Sequence, residues 1–475
     1  MRKEATARSQ PRLHGFERDL EELRDLLGIP GLSVAIVEDQ RLLWAKGFGF
    51  ADLERHRRAT ANTPFPIASV TKPVAATLLL QLVEKGLVGL DDPARKYSAE
   101  FSDERIRIRH LLTHTSEGVP GEKYAYNGDR FRALTQVIEK VSGKPFRQVL
   151  VENVLDRVGM SRSVPGHDVL HPGLGSAATS DAVGPEKYRS ALDDLAKPYL
   201  VVGGRAEPTD YPPRGLNAAA GLISTVVDLA KLDVALDRRM LLKESTLAKA
   251  WTPAVSRGGT TLPYGSGWFV QRHNGLKLVW HYGYWQQFSA LYLKVPERNL
   301  TLIVLANSNG LSAPFGLGDG DVLASPFASA FLSRFISGAP AGAASGARRS
   351  RSNGTSYIES RVRIALSDWR ARDGRHESKV DPATFDAFVG EYEFRRAGFF
   401  TTTIAISRDG GKLFGSFIGE NTGPQNRFEL TPESASRFFW KGEAVTFSFI
   451  PGTDGKAGAL IWREFGQERR LPRIR

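Results

Sequence analysis

The chain has 475 residues, of which 41% are hydrophobic and 24% charged, so it is long enough for two or three domains with sizeable cores. It has no cysteine, which excludes disulfides, thiolate catalysis and cysteine-ligated metals. The formal net charge is +12, yet no compact basic run has interleaved aromatic residues, so we expect scattered surface arginines and no nucleic-acid partner.

The N-terminal segment, residues 1–14, begins with positive charges but has no apolar core behind them. It is therefore predicted to be a disordered tail and not a signal peptide. No stretch approaches the roughly 18 consecutive apolar residues of a transmembrane helix. Without a signal peptide in the chain as given, a cytoplasmic location is the simplest expectation, although the compartment and the oligomeric state stay open.

The first predicted elements are a helix and a hairpin. Phe16, Leu20, Leu23 and Leu27 recur at helical spacing, and Gly28 ends the helix. Two short apolar runs then predict a β-hairpin: Leu32–Val37 and Leu42–Phe48. Residues 65–250 look mainly helical, and the Gly-, Pro- and Ser-rich residues 163–213 are predicted to form an extended loop.

Strand patterns return after residue 264: Gly267–Gln271, Leu276–Trp280, Phe288–Val295 and Leu300–Leu305. Strands therefore bracket a helical middle, in which Thr135–Val141 and Thr225–Leu236 are the clearest helices. The simplest packing is one antiparallel sheet flanked by helices together with a mainly helical region, an α/β (α+β) fold.

The composition changes in the last third of the chain. Residues 339–355 are rich in Gly, Ala, Ser and Arg, as in a flexible linker, and residues 357–372 could form one exposed helix. From Asp381 onward, short aromatic and β-branched runs alternate with turns, which predicts a small all-β, barrel-like domain. We therefore predict a main domain over 15–340, a linker over 341–379 and a β domain over 380–475.

A candidate nucleophile lies at the start of a buried helix. Pro73 is tolerated only in the first turn of a helix, so this helix begins near Ser69. Ser69 and Lys72 then project from one face, where a buried lysine can take the serine proton beside the free N–H groups of the helix end. Such a short pattern is expected about once by chance. A helix-capping serine with a solvated lysine explains it equally well.

Two downstream segments decide between these interpretations: Tyr124–Gly128 in a predicted loop, and Val279–Gly283 on a late strand. Ser-x-x-Lys with two downstream elements is the signature of β-lactamases and penicillin-binding proteins. The chain resembles this family, in particular class C β-lactamases, D-alanyl-D-alanine carboxypeptidases and the esterases that share their fold. The resemblance covers roughly residues 16–310 and includes further segments: Gly28–Ala35, His110–Ser116, Gly221–Thr225 and Tyr264–Trp268. Residues 381–475 resemble the small β domain that some members append.

The resemblance implies the roles of the catalytic residues. Ser69 would form the acyl-enzyme and Lys72 would share its proton. Tyr126 would relay a proton to the leaving group and activate the deacylating water. Many relatives are periplasmic or secreted.

The late strand is implied to complete the site. His281 and Gly283 match the family's strand triad, with histidine where many relatives have lysine. Glycine suits its position because the strand must approach the substrate closely without a Cβ. The backbone N–H groups of Ser69 and Tyr284 would form the oxyanion hole.

One position departs from the family pattern. Keeping the register of the following helix puts Gly128 where relatives have an asparagine whose amide holds the acyl-side amide of the substrate. Shifting the register to Asn127 would put Ala125 in place of the tyrosine, which is a worse match. We therefore expect a small ester, a D-amino-acid peptide or a β-lactam as substrate, in that order.

Other chemistry has little support in the sequence. No Gly-x-Ser-x-Gly elbow and no His-Glu-x-x-His motif occur, so we expect neither an α/β-hydrolase nor a metal or other cofactor. His110 and His114 are expected to be structural. The predicted partner is a small-molecule or peptide substrate. The alternative function is a catalytically silent binding or sensor protein on the same fold, against which the complete set of Ser69, Lys72 and Tyr126 argues.

Overall fold

A computed structural model of the chain describes residues 2–170, 185–202, 204–211, 215–336, 377–396, 400–418, 427–440, 445–464 and 467–475. The chain divides into two compact units, 1–366 and 367–475. The first contains a large antiparallel sheet flanked by helices and the second is all β, which confirms the predicted fold class. The predicted linker helix at 357–372 lies outside the described residues, and the predicted domain boundaries stay predictions.

The first unit alternates between sheet and helix along the chain. Its strands are β1 Gly31–Glu38, β2 Arg41–Asp52, β3 Arg57–Arg58, β4 Phe65–Pro66, β5 Tyr199–Val202, β6 Arg205–Pro208, β7 Ile223–Ser224, β8 Phe269–His273, β9 Leu276–Tyr284, β10 Ser289–Val295 and β11 Leu300–Ala306. Its helices are α1 Arg2–Leu26, α2 Thr71–Glu84, α3 Ile108–Leu112, α4 Gly128–Arg132, α5 Leu134–Ser142, α6 Phe146–Leu150, α7 Arg189–Asp193, α8 Val226–Asp237, α9 Glu244–Ala250 and α10 Pro326–Phe335. None of the helices in the described part of the chain is long and apolar enough to cross a membrane.

The large sheet has the strand order β3-β2-β1-β11-β10-β9-β8, and its neighbouring strands are antiparallel. The first strand and the last pair at its centre, with Val34 opposite Val304. Every residue of β10 and β11 is buried. Because successive side chains of a strand point to opposite faces, both faces of these strands are covered. One cover is α8, which packs on β1, β2 and β11.

The start of α2 is held between the helical region and the sheet. Residues Thr71–Leu82 of this helix are buried, as expected for a helix that is apolar all round. The segment before it is fixed by β4, where Phe65 pairs with Ser224, and by the Ile67 amide, which donates to the Leu222 carbonyl at 3.0 Å. The turn that follows Ile67 packs against β9, so this turn is the point where helix and sheet meet.

Two segments differ from the expectation. Helix α1 begins at Arg2, where the sequence analysis expects a disordered tail over residues 1–14. Residues before Phe16 lack an apolar stripe, and Pro11 lies inside the helix, where it removes one backbone hydrogen bond, so helix propensity does not explain this extension. The region 163–213, expected to be extended loop, contains α7 and the paired strands β5 and β6.

The second unit is an eight-stranded antiparallel meander. Its strands are β12 Gly390–Arg396, β13 Phe400–Asp409, β14 Lys412–Ile418, β15 Arg427–Pro432, β16 Arg437–Trp440, β17 Val445–Pro451, β18 Ala457–Glu464 and β19 Gln467–Pro472. A bridge between Tyr392 and Arg473 brings the first strand to the end of the chain, which closes the meander towards a barrel. Its core contains buried aromatic residues, among them Phe438, Phe447 and Trp462.

Candidate active site

Ser69 lies in one turn of 3-10 helix, Ala68–Val70, that leads directly into α2. Ala68 has a φ of +46°, in the left-handed region that residues with a side chain rarely adopt. The Thr71 hydroxyl donates to the Ala68 carbonyl at 2.7 Å and accepts from the Leu222 amide at 3.2 Å, so the surrounding structure holds this backbone in place. Strain of this kind persists only where neighbours enforce it, and it is typical of functional sites.

Lys72 is buried directly beside Ser69. Its Nζ lies 2.8 Å from Ser69 Oγ and donates to the Ala219 carbonyl at 3.0 Å. Burial lowers the pKa of this lysine from 10.5 to about 7, and the carboxylate of Asp129 opposes the shift. At neutral pH, a substantial fraction of the molecules therefore carries a neutral amine at this position, which is what a general base requires.

The phenol of Tyr126 lies on the other side of Lys72, whose Nζ is 4.9 Å from the centroid of its ring. Its hydroxyl is buried, and Ser69 is a polar group that acts on it, although no described residue meets it in the geometry of a normal hydrogen bond. Burial raises the pKa of Tyr126 well above 10, a shift that Tyr282 enhances and Ser69 opposes. The phenol therefore holds its proton at neutral pH and can act as a proton donor.

Aromatic rings enclose the side chains of Lys72 and Tyr126. Phe269 stacks on Tyr126 with ring centroids 6.0 Å apart, and the ring of Tyr282 lies 5.8 Å from it. Phe131 lies 5.6 Å from Nζ of Lys72. This apolar wall keeps water from the ammonium and from the phenolate, and it is the physical reason why both pKa values move towards the neutral forms.

His281 lies close to the site, but both of its ring nitrogens are engaged. Nδ1 is 2.6 Å from the carbonyl of Tyr282, which can only accept, so Nδ1 carries the proton. Nε2 then accepts from the Tyr264 hydroxyl at 2.8 Å. Burial holds the pKa of His281 well below 6.5 and keeps the ring neutral. In this arrangement neither ring nitrogen is left to contact a substrate.

Gly283 lies on β9 opposite the turn that carries Ser69. A Cβ on this residue would overlap the backbone carbonyl of Ile67 and lie 3.1 Å from Cβ of Ala290. Contact between β9 and the segment before Ser69 is therefore enough to require glycine here. Tyr284 is the last residue of β9 and pairs with Ser289 of β10.

Asn127 and Gly128 lie at the start of α4. The side-chain carbonyl of Asn127 caps this helix by accepting from the amides of Asp129 and Arg130, and its Nδ2 donates to Glu117 at 2.5 Å. This amide is therefore committed to the fold. A Cβ on Gly128 would meet a single atom within 4 Å, the Nζ of Lys72 at 3.9 Å, so Gly128 faces the site and leaves space there.

Sequence reasoning gave no place at the site to Ala68, Tyr264 or His114. His114 is buried against Tyr126, with ring centroids 4.4 Å apart. Both His114 and Tyr264 lie in segments that carry the family resemblance, which was the available signal. Among the described residues, no group of three His, Asp or Glu side chains is arranged to hold a metal ion.

Comparison with known proteins places this arrangement in a family. A family model described as Beta-lactamase matches residues 16–323. Penicillin-binding protein 4* of Bacillus subtilis (strain 168) is 22% identical over 483 residues, which cover 92% of this chain and 93% of that protein. The fold is similar to that of the octameric penicillin-binding protein homologue from Pyrococcus abyssi, with a TM-score of 0.55, 20% identity, and coverage of 97% of this chain and 98% of that one. It is also similar to D-alanine carboxypeptidase AmpC from Burkholderia cenocepacia, with a TM-score of 0.52, 18% identity, and coverage of 63% of this chain and 95% of that one. Because the family model spans more than half of its residues, the chain belongs to the Beta-lactamase family.

Proposed function

We propose that the protein is a serine hydrolase that works through an acyl-enzyme on Ser69, with Lys72 as the base. The observation that carries this proposal is the 2.8 Å contact between Ser69 Oγ and a lysine whose pKa is lowered to about 7. A lysine of ordinary pKa would be protonated at neutral pH and could not take a proton. Membership of the Beta-lactamase family supports the same general chemistry.

In the proposed acylation step, the neutral amine of Lys72 takes the Ser69 proton as Oγ forms a bond to the substrate carbonyl carbon. The carbonyl oxygen becomes negative and would accept hydrogen bonds from the backbone N–H groups of Ser69 and Tyr284. As the intermediate collapses, the bond to the leaving group breaks and Tyr126 donates its proton to the leaving atom. The Lys72 ammonium, close to the Tyr126 ring, then returns a proton to the phenol.

In the proposed deacylation step the roles reverse. Lys72 is neutral again once the leaving group has departed with the Tyr126 proton. A water molecule attacks the ester carbonyl and gives up a proton through Tyr126 to Lys72. Ser69 Oγ leaves and recovers its proton from Lys72. His281 would not touch the substrate in this scheme, and we expect it to hold Tyr264 and β9 in position.

We propose a small ester as the preferred substrate, ahead of a D-amino-acid peptide or a β-lactam. Gly128 offers no side-chain amide for the acyl-side amide of a peptide or penicillin, and the amide of Asn127 is engaged with Glu117. A site that lacks a recognition hydrogen bond gains little from the group that would have made it. Peptides and penicillins stay on the list because relatives of this chain are named penicillin-binding protein and D-alanine carboxypeptidase.

Intact-mass analysis after exposure to a fluorophosphonate, and separately to a penicillin, tests the nucleophile. We expect the fluorophosphonate to add one label to the wild-type protein and none to Ser69→Ala. The exposed Ser161→Ala is the matched control and should label fully. Full labelling of Ser69→Ala would contradict the assignment. A wild-type protein that takes neither reagent would favour the silent binding protein instead.

Steady-state kinetics test the substrate order. We expect a higher kcat/KM for p-nitrophenyl acetate than for a cephalosporin or a D-Ala-D-Ala peptide. The space beside Gly128 admits a side chain, so Gly128→Asn should shift the ratio towards the amide substrates by about tenfold, the value of one hydrogen bond of about 1.4 kcal/mol. Comparable wild-type values for the ester and the cephalosporin would overturn the order.

A further inference from the structure

His114 holds both neighbours of Tyr126. It lies after α3 with a φ of +53°, in the left-handed region. Its backbone carbonyl accepts from the Ala125 amide at 2.8 Å, and its Nδ1 accepts from the Asn127 amide at 3.1 Å. The residue between those two amides is Tyr126. One residue therefore fixes the backbone on each side of the proposed proton donor.

The ring of His114 also fixes the plane of the phenol. It packs on Tyr126 at 4.4 Å between centroids with the planes tilted by 36°, and meets Tyr264 edge-on at 4.8 Å. Ser69 is the polar group that acts on the Tyr126 hydroxyl, and no described residue meets this hydroxyl in the geometry of a normal hydrogen bond that would fix the ring. The direction of the phenol O–H thus depends on the clamped backbone and on the packed rings.

The position demands a combination of properties that few side chains offer. The backbone conformation is left-handed, which asparagine, aspartate and histidine tolerate better than most residues. The Asn127 amide is buried and needs an acceptor at the place of Nδ1. Since Nδ1 accepts, Nε2 carries the proton, and this buried N–H has no partner among the described residues other than the surrounding aromatic rings.

We propose that His114 is a positioning residue that aims the Tyr126 hydroxyl at the leaving group, an inference that rests on the proposed serine hydrolase chemistry. It touches neither Ser69 nor the substrate in this role and acts through Tyr126. His110, four residues earlier, makes the same kind of side-chain-to-backbone hydrogen bond: its Nδ1 accepts from the Arg107 amide at 3.1 Å. His110 is therefore a matched control for the loss of one buried imidazole.

Leaving-group dependence separates positioning from general damage. 4-Nitrophenolate leaves without a proton, whereas ethoxide must be protonated as it departs, so only an alkyl ester needs the Tyr126 proton. His114→Phe keeps a ring but loses the acceptor. In single-turnover acylation, which leaves out the deacylation step that uses Tyr126 for every ester, we expect His114→Phe to lower the rate constant for an ethyl ester by about 10- to 100-fold and that for p-nitrophenyl acetate by less than about threefold. His110→Phe should affect both esters equally and weakly.

Two further variants complete the experiment. His114→Asn keeps an acceptor at the place of Nδ1 and tolerates the left-handed backbone, so it should recover much of the lost ethyl-ester activity. In a Tyr126→Phe background, His114→Phe should have almost no additional effect, because the two residues act as one unit. If His114→Phe does not fold, His114→Gln, whose longer side chain carries its acceptor past the Asn127 amide, takes its place.

The result that overturns the inference is an equal loss on both esters, or a loss that persists at full size in the Tyr126→Phe background. Either would give His114 a purely structural role. This failure is distinct from failure of the proposed function, because the wild-type protein would still be labelled at Ser69 by the fluorophosphonate.

Discussion

Replacing Lys72 by methionine should abolish acylation and, at the same time, make the folded protein more stable at neutral and acidic pH. Methionine has a similar length and shape but no ionisable group, so the buried site no longer has to hold an ammonium. Both effects follow from the same observation, a lysine that is 1% exposed and whose pKa is lowered to about 7.

The magnitude follows from the two pKa values. A lysine that titrates at 10.5 in the unfolded chain and at about 7 in the fold costs about 5 kcal/mol of stability when both states are protonated. Methionine removes this cost but leaves the Ala219 carbonyl without its hydrogen-bond donor, which offsets about 1–3 kcal/mol of the gain in stability. We therefore expect Lys72→Met to raise the free energy of unfolding by about 3 kcal/mol.

The sign of the pH dependence follows from proton counting. Below pH 7 both states of the wild type bind the proton, and the cost is complete. Between pH 7 and 10.5 only the unfolded state binds it, so wild-type stability rises by about 1.4 kcal/mol per pH unit relative to the variant. The advantage of Lys72→Met is therefore largest below pH 7 and is lost as the pH rises towards 10.5.

Urea unfolding at pH 6, 7, 8 and 9 measures this difference, with fluorophosphonate labelling as the activity readout. Lys85→Met is the control, because Lys85 is exposed at the far end of the same helix and should show no pH-dependent difference. A stability difference that stays constant from pH 6 to 9, or a destabilised Lys72→Met, would refute the lowered pKa and with it the role of Lys72 as a neutral base.

The other predictions use the same assays. Wild-type kcat/KM should rise about tenfold per pH unit below pH 7 and level off above it. Lys72→Arg should be acylated at least about 100-fold more slowly, because arginine does not give up its proton. A flat pH profile of the wild type, or near-normal turnover in the variant, would reassign the base. Gly283→Ala should lower the free energy of unfolding by about 3 kcal/mol, because the new Cβ overlaps the Ile67 carbonyl. Gly258→Ala is the control: its Cβ would meet nothing closer than 3.8 Å, so the free energy of unfolding should change by less than about 1 kcal/mol. Equal effects of the two substitutions in thermal melts would contradict the contact. A chain that ends near Pro340 should fold and keep its esterase activity, because all proposed catalytic residues precede it; an insoluble truncation would show that the two units share a core.

Local rules were enough to predict that Ser69 and Lys72 lie side by side at the start of a helix. The spacing of Ser69 and Lys72 and the helix start near Pro73 depend only on neighbouring residues, and the structure brings the two side chains together. The capping role of Asn127 was equally local, since asparagine before an acidic first turn is a helix start signal. It was missed because the register was judged only from the family pattern.

Long-range packing decided what the sequence could not predict. Whether His281 faces a substrate or the core depends on Tyr264, seventeen residues away along the chain. The requirement for glycine at position 283 arises from contact with Ile67, which lies in another part of the fold more than 200 residues earlier. Neither contact leaves a local pattern, because both arise from the way the sheet meets the helical region.

The contact between Gly283 and the Ile67 carbonyl has a consequence for how the protein tolerates mutation. The strand and the nucleophile turn touch backbone to backbone, with no side chain between them. The separation of the two elements is therefore set by main-chain dimensions, which almost any sequence reproduces. To keep this separation, only position 283 has to remain glycine. Substitutions can accumulate in the surrounding shell without altering the distance between the two elements.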